Sequence, residues 1–404
     1  MKTIYLDNAA TTRMDPVVLK SMLPYFTEEY GNPGSMHHMG LKARKDIAYA
    51  REKVASILNC SPKEIIFTGS GTESDNMAIF GYVRKNKEKG NHIITTPIEH
   101  HAIMDSYKRL EKEGFEVTIL DVDREGFVNL EQLKSKITDK TILVSIIYAN
   151  NEIGTIQDIP EISKICKEKR VTFHTDACQA AGYLDIDVKN LGVDMMTLNG
   201  SKIYGPKGVG ILFKRRGIKI EPIVYGGGQE YNLRSGTENV ANIIGFTKAL
   251  EEVEKHREVE TKKVTKLRDK LIDAFLKLPD TRLNGDRIKR LPNNVNISFL
   301  NIEGESVILM LNELGICVST GSACTSADLE PSHVIVSLDL PHEVGHSSIR
   351  FSLGKFNTEE EIDYVIEVLP PIIKKLRQMS PLKYTMEEAE AKGRTPPEEV
   401  GDHH

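Results

Sequence analysis

Residues 64–76 read EIIFTGSGTESDN. The run Glu64 to Thr68 is short and apolar, ends on Gly69, and passes through small residues into a helix-forming stretch, TESDNMAIFGYVRKNKEKG. A continuous apolar run of this length, closed by glycine, is the pattern of a strand buried on both faces. The same alternation repeats outward. HIITT (92–96) leads into the helical HHAIMDSYKRLEKEG, FEVTIL, ILVSIIYA and VTFHTD read as further strands, and IPEISKICKEKR (159–170) as a helix between them. Strands alternating with helices over 60–215 predict an α/β fold built of right-handed βαβ units, with a mostly parallel sheet flanked by helices. In such sheets ligands bind beyond the carboxyl ends of the strands. The residues that follow each strand are therefore the first candidates for chemistry.

Past the sheet, residues 238–278 form one long charged helical pattern. It leads into a smaller α+β arrangement with strands at NNVNISF, ICVST and SSIRFSLG and a closing helix at TEEEIDYVIEVLPPIIKKLRQM. The expected organisation is a large domain over 15–255 and a small domain over 1–14 and 256–380 that carries a mobile loop at 319–332. A tail follows over 381–404, acidic and rich in Gly and Pro, read as a docking or disordered segment.

Composition narrows the function classes. The chain has 404 residues, 40% hydrophobic and 27% charged, with a net charge of -5. That is ordinary globular composition, without the basic footprint of a nucleic-acid binder. No apolar run approaches the ~20 residues of a membrane span, and MKTIYLDNAATTRMDP lacks a secretory h-region. A soluble, cytoplasmic protein is expected, with neither nucleic acid nor membrane as partner. Cysteines stand at 60, 166, 178, 317 and 324. Their odd number, irregular spacing and lack of a CxxC pair argue against a disulfide framework or a structural zinc site. Reduced thiols used as small fillers are the default for Cys60, Cys166, Cys178 and Cys317.

Three strand ends carry candidate chemistry. After EIIFT, Gly71 and Thr72 stand where a helix begins, and free amides there favour a phosphate; a plain strand–helix turn has the same pattern. After VTFHT comes Asp176, which suits a helix N-cap, a metal ligand or the partner of a protonated ring nitrogen. After MMTLN comes Gly200-Ser201-Lys202, and a desolvated lysine at such a turn can form a Schiff base; Lys207 suits the ordinary role of a surface charge. His100, in TTPIEHHAIM, follows another strand and can stack on a ring or simply fill the core. Together, a phosphate cradle, a carboxylate for a pyridine nitrogen and an amine for an aldehyde are what pyridoxal 5′-phosphate needs.

With these residues in view, the sequence resembles the IscS/NifS cysteine desulfurases of the class V aminotransferase family, fold type I. The motifs that carry the resemblance run in family order across nearly the whole chain: YLDNAATT, FTGSGTESDNMAI, IEHHA, ANNEIGTIQD, HTDACQ, SKIYGPKG, GGGQEYNLRSGTEN, STGSACTS and HSSIRFSLG. The resemblance implies Lys202 as the Schiff-base lysine and proton shuttle, Asp176 as the pyridinium partner, and His100 as the ring-stacking acid–base residue. It implies Gly71 and Thr72 as the phosphate loop, Gln179 near the ring hydroxyl, and Asn151 and Arg350 on the substrate, with the Arg350 fork on its carboxylate. Thr237 matches a phosphate contact made from the other subunit of a homodimer. The chain departs from the family at Asn199-Gly200-Ser201, where Ser-Gly-His is usual; Asn199 and Ser201 are expected to keep hydrogen-bonding the phosphate. Cys178 stands where threonine is common and reads as a filler.

The implied reaction converts L-cysteine to L-alanine and leaves a persulfide on Cys324, with His100 suggested as the group that deprotonates the attacking thiol. A selenocysteine lyase or another class V lyase is the alternative. The STGSAC stretch, 319–324, supports a thiol that travels, because its side chains are small and Gly321 frees the backbone. The implied destinations of the sulfur are an IscU-type iron–sulfur scaffold, contacted through the tail, and other acceptors such as those that thiolate tRNA. Cys324 would then be an iron–sulfur ligand only during transfer, and no metal is expected in the cofactor site. HEVGH (342–346) matches the zinc-protease pattern H-E-x-x-H, which requires both histidines on one face of a helix. A preceding proline, an internal glycine and an apparent strand directly after it point instead to a turn leading to Arg350.

Overall fold

The computed structural model describes residues 3–320 and 331–393. Its strands in chain order are β1 (Ile4–Tyr5), β2 (Ile65–Thr68), β3 (His92–Thr95), β4 (Glu116–Ile119), β5 (Thr141–Ser145) and β6 (Thr172–Asp176). There follow β7 (Met195–Asn199), β8 (Gly210–Lys214), β9 (Thr281–Leu283), β10 (Asn294–Phe299), β11 (Ile316–Cys317) and β12 (Ser348–Ser352).

The main sheet has seven strands in the order β2-β8-β7-β6-β5-β3-β4. All its pairings are parallel except those of β8, which runs antiparallel to both neighbours. The chain reverses from β7 to β8 through a glycine-rich turn rather than a crossover helix, which is why one strand is reversed in an otherwise parallel sheet. The apolar runs are continuous because alternate residues feed different faces. Ile65 and Phe67 join one core cluster and Ile66 another, and Ile94 and Val144 are separated from Ile93 and Leu143 in the same way.

The second body is built on an antiparallel sheet, β12-β10-β9, and on the parallel pair β1-β11. Its core gathers Ile4 and Leu6 with Phe275, Phe299, Phe351 and Leu369. The charged pattern after residue 238 is a single 36-residue helix, Val240–Phe275, about 54 Å long at 1.5 Å per residue. Its Phe246 and Leu250 lie in the main core, and its Val264 and Leu271 in the second. One rigid element is thus shared by both cores.

Three details differ from the sequence reading. The helix after β2 runs as Gly71–Asn76 and Tyr82–Asn86 with a π-helical turn, Met77–Gly81, between them. HEVGH forms a short helix of 5 residues, His342–His346, instead of a bare turn, and its Glu343 is paired with Lys392 Nζ at 2.7 Å. The beginning of the tail is ordered as a helix, Met386–Lys392, with Thr385 and Glu388 forming a capping box. Its Ala389 is buried among Ile98, Ile147, Val334 and Leu338, and Glu390 pairs with Arg282 at 3.0 Å. Residues 394–404 lie outside the described residues.

Candidate active site

Because β2 and β7 both run antiparallel to β8, the carboxyl ends of β2, β3, β5, β6 and β7 reach the same edge of the sheet. The segments leaving them bring Gly71, Thr72, His100, Asn151, Asp176, Gln179, Asn199 and Lys202 around one cavity of about 320 Å³, with Arg350 from the second body in its wall. That volume lies in the range of small-molecule sites.

Each wall has a local cause. Ser70 caps the helix that starts at Gly71, accepting from the Glu73 amide at 3.1 Å, so the amides of Gly71 and Thr72 open the helix with no intrahelical partner. A Cβ on Gly71 would stand 2.9 Å from Cys178 Sγ and 3.2 Å from Asn199 Cβ, so only glycine fits between these two walls. Asp176 ends β6 and accepts from the Cys178 amide at 2.8 Å. Lys202 sits in a single 3-10 turn and donates to the carbonyls of Ala9 at 2.9 Å and Ala10 at 2.5 Å. Gln179 reaches the same Ala9 carbonyl at 2.9 Å. The stretch from Ala9 to Thr12 is itself pinned by the Thr12 amide on the Ser201 carbonyl at 2.8 Å. Arg350, buried in β12, pairs through Nη2 with Asp7 at 2.9 Å and donates to the Asn151 carbonyl at 3.1 Å.

Comparison with known proteins decides the family. The aminotransferase class-V model matches residues 4–365. A cysteine desulfurase IscS of Clostridium botulinum is 54% identical over 384 residues, which cover 94% of this chain and 97% of that protein. A solved NifS-like protein superposes with a TM-score of 0.86 at 39% identity, covering 94% of this chain and 99% of the other. A NifS-like protein from Rickettsia africae superposes at 0.83 with 34% identity, over 92% and 100% of the two chains. The chain belongs to the IscS/NifS group of class V aminotransferases.

The cofactor of this class V family is pyridoxal 5′-phosphate, and the cavity fits it. Asp75 Oδ1, Glu99 Oε2 and Arg350 Nε are buried there without a hydrogen-bond partner among the described residues, which costs free energy unless something else supplies one. The donor set also fits: unpartnered amides for a phosphate, a carboxylate at Asp176, a primary amine at Lys202.

The electrostatics of this class V site are dominated by burial. Asp75 is held well above the usual carboxylate range by desolvation and by the neighbouring Asp176. Desolvation raises Glu99 to about 8, although Thr96 at 2.6 Å and the Ile147 amide at 2.9 Å both donate to it. His174, beneath the site between Ser145 at 2.9 Å and Thr197 at 3.1 Å, is lowered by burial to about 3 and is neutral. Burial also pushes the Cys178 thiol far up, so it lines the wall as an unreactive group.

The residues singled out from the sequence do not all border the cavity. Ser201 does not line the cavity; its hydroxyl turns to Asn199 Oδ1 at 3.3 Å, so Asn199 alone of the two borders the space. Thr237 lies in a separate hollow of about 230 Å³ with Gly69, Glu230 and Arg234. Cys324 and the middle of its loop lie outside the described residues. His100 caps the helix His101–Lys112, its Nδ1 accepting from the Ala102 amide at 3.1 Å. That bond places the ring proton on Nε2 and leaves no lone pair for a thiol proton, against the suggested role of His100 as thiol base. Burial, ahead of all other causes, lowers its proton affinity.

The sequence reading missed Asp7, Glu99, Glu152, His101 and His333, of which all but Asp7 line the cavity. Glu99 and His101 sat within the quoted motif IEHHA, so adjacency to His100 was the available signal. His333 had none.

Proposed function

We propose that the protein is a pyridoxal-phosphate-dependent cysteine desulfurase that converts L-cysteine to L-alanine, with Cys324 receiving the sulfur for iron–sulfur cluster assembly. The observation that carries this reading is the convergence of Lys202, Asp176 and Arg350 on one cavity. Bound there, the cofactor supplies a covalent anchor for the substrate amine and a sink for the electrons released at the substrate carbon.

The chain's own residues do the rest. With the cofactor bound, Lys202 would anchor it and would move the proton at the substrate carbon; the Ala9 and Ala10 carbonyls hold the lysine ammonium. Asp176 would keep a ring nitrogen protonated, and beside it Asp75 is held well above the usual carboxylate range by burial. The Gly71 and Thr72 amides and Asn199 would hold the phosphate, with the Ser201 hydroxyl donating to Asn199. Gln179 would hold the ring hydroxyl, and His100, with its proton on Nε2, would stack on the ring and donate into the site. Arg350 aligns the substrate carboxylate beside Asn151 and turns the C–S bond toward the attacking thiol. The test is an absorbance spectrum plus an alanine assay on wild type, Lys202→Ala and Cys324→Ser. Loss of alanine formation in Lys202→Ala and of sulfur transfer in Cys324→Ser is expected; full sulfide release by either rejects the reading.

The reading extends to a cytoplasmic homodimer. No helix among the described residues is long and apolar enough to cross a membrane. Tyr30, Met36 and Tyr225 are 70%, 88% and 77% exposed, and Leu23, Phe26 and Tyr231 are exposed as well. Pro33 and Gly34, which lie between Tyr30 and Met36 in the chain, border the same hollow as Tyr231, and large exposed apolar side chains of this kind suit a subunit interface. Thr237, which does not line its own chain's cavity, is the candidate to reach the phosphate of a partner's. An IscU-type scaffold is the proposed sulfur acceptor, with other acceptors sharing Cys324. Sedimentation of the holoenzyme alone and with a scaffold checks both points.

A further inference from the structure

Two histidines that line the cavity carry the same tautomer but offer it opposite ends. In His100 the Nδ1 lone pair is taken by the Ala102 amide, so what remains is an N–H donor. In His333, Nε2 lies 3.0 Å from the Glu99 carbonyl oxygen. A carbonyl only accepts, so that nitrogen carries the proton and Nδ1 keeps a lone pair. No described residue donates to it. The ring is held from both sides: it packs on His101 with centroids 4.7 Å apart, and the preceding Ser332 donates to Glu152 Oε2 at 2.5 Å. Half-buried and bordering the cavity, it is the one of the three histidines there whose tautomer a backbone carbonyl fixes with a base nitrogen left over.

We propose that His333 is the proton acceptor for the thiol that attacks the substrate sulfur. This rests on the desulfurase reading and deepens it. In the step, the S–H bond breaks and an N–H bond forms at Nδ1, giving an imidazolium and a thiolate. The S–S bond then forms as the substrate C–S bond breaks, its electron pair leaving with the carbon fragment. The proton count closes when the methyl group of alanine gains one proton. The ionisable groups facing His333 are His100 and His101 on the helix after β3, Glu99 before that helix, and Glu152 after β5. His101 is lowered by burial first and by His333 second.

The experiment uses the holoenzyme and L-cysteine. Alanine formation is measured from about pH 6 to 9, the span in which an imidazole and a thiol exchange roles, for wild type, His333→Gln and His333→Asn. Near neutrality kcat/KM should fall about 10²-fold, as for loss of a general base. The deficit should shrink as pH rises and the thiolate forms unaided, and added imidazole should restore part of the rate. Profiles that superpose on wild type overturn the proposal, as does a deficit that is equal at every pH and untouched by imidazole. Should both variants fail to fold, the nitrogen chemical shifts of His333 in wild type decide: a proton on Nε2 supports the assignment and a proton on Nδ1 overturns it. A wild type that forms no alanine removes the desulfurase reading and this step with it, whereas an active wild type beside unaltered variants rejects His333 alone.

Discussion

Arg350 Nη2 pairs with Asp7 Oδ1 at 2.9 Å, across 343 positions of sequence. The arginine proposed to hold the substrate carboxylate is thereby oriented by an acid just past β1, and its Nε is the donor left without a partner. The pair predicts a split between binding and chemistry. Arg350→Lys loses the planar fork and should raise KM for cysteine about tenfold to hundredfold, the worth of a charge-assisted hydrogen bond, with a smaller change in kcat. Asp7→Asn should do the same more mildly. Steady-state kinetics read both; a fall in kcat at constant KM contradicts the assignment.

Gly71 predicts a packing effect. Gly71→Ala forces a methyl group against Cys178 and Asn199 and should weaken cofactor retention without unfolding the protein. Adding Cys178→Ala should recover part of it, because Sγ is the nearest obstacle, while the contact with Asn199 persists. Dialysis against cofactor-free buffer, followed by absorbance, measures this directly.

Glu99 predicts a pH dependence of stability. Its carboxyl is raised from 4.5 to about 8 by burial, so its contribution is fully present below pH ~4.5, the unfolded value, and is lost as pH rises through about 8. His174 has the opposite sign: lowered from 6.5 to about 3, it contributes above the unfolded value and its contribution is lost as pH falls. The apoprotein should therefore lose stability toward both ends, with the alkaline loss amounting to a few kcal/mol at most. Glu99→Gln should flatten the alkaline side, with Tm near wild type at pH ~4.5 and above it at pH ~8. A Glu99→Gln curve parallel to wild type between these values refutes the assignment.

The tail predicts a difference between two truncations. The sequence reads 381–404 as a docking or disordered segment, but Ala389 shares a core cluster with Ile147, a wall residue of the cavity, and with Val334 beside His333. Ending the chain after 393 should leave alanine formation intact and test scaffold binding alone. Ending it after 381 exposes that cluster and should lower Tm and activity together. Equal Tm for the two truncations would show that the helix Met386–Lys392 contributes no packing.

What was legible in the sequence follows from how local each cause is. Burial on both faces writes itself as unbroken apolar runs, so β2, β3, β5 and β6 could be read, and with them the places of Gly71, His100 and Asp176. The long charged pattern announced the helix Val240–Phe275. The reversal of β8 has no local signature, and neither has the neutral state of Glu99, which depends on walls supplied by distant segments. The choice between His100 and His333 as base depends on which backbone group each ring nitrogen meets, a relation fixed only after folding. The bond from the Ser201 hydroxyl to Asn199 was not legible either, because it depends on a turn whose geometry the letters do not reveal.

The Ala9 and Ala10 carbonyls that hold Lys202 belong to a stretch made at the start of synthesis, yet β1 pairs with β11 near residue 316 and Asp7 waits for Arg350. On a ribosome adding about 5–20 residues per second, that stretch spends tens of seconds without its partners. During that interval the cavity lacks the wall that Arg350 supplies. A reactive amine is therefore assembled into a working site only once nearly the whole polypeptide has emerged, which makes cofactor capture a late event in the life of each new molecule.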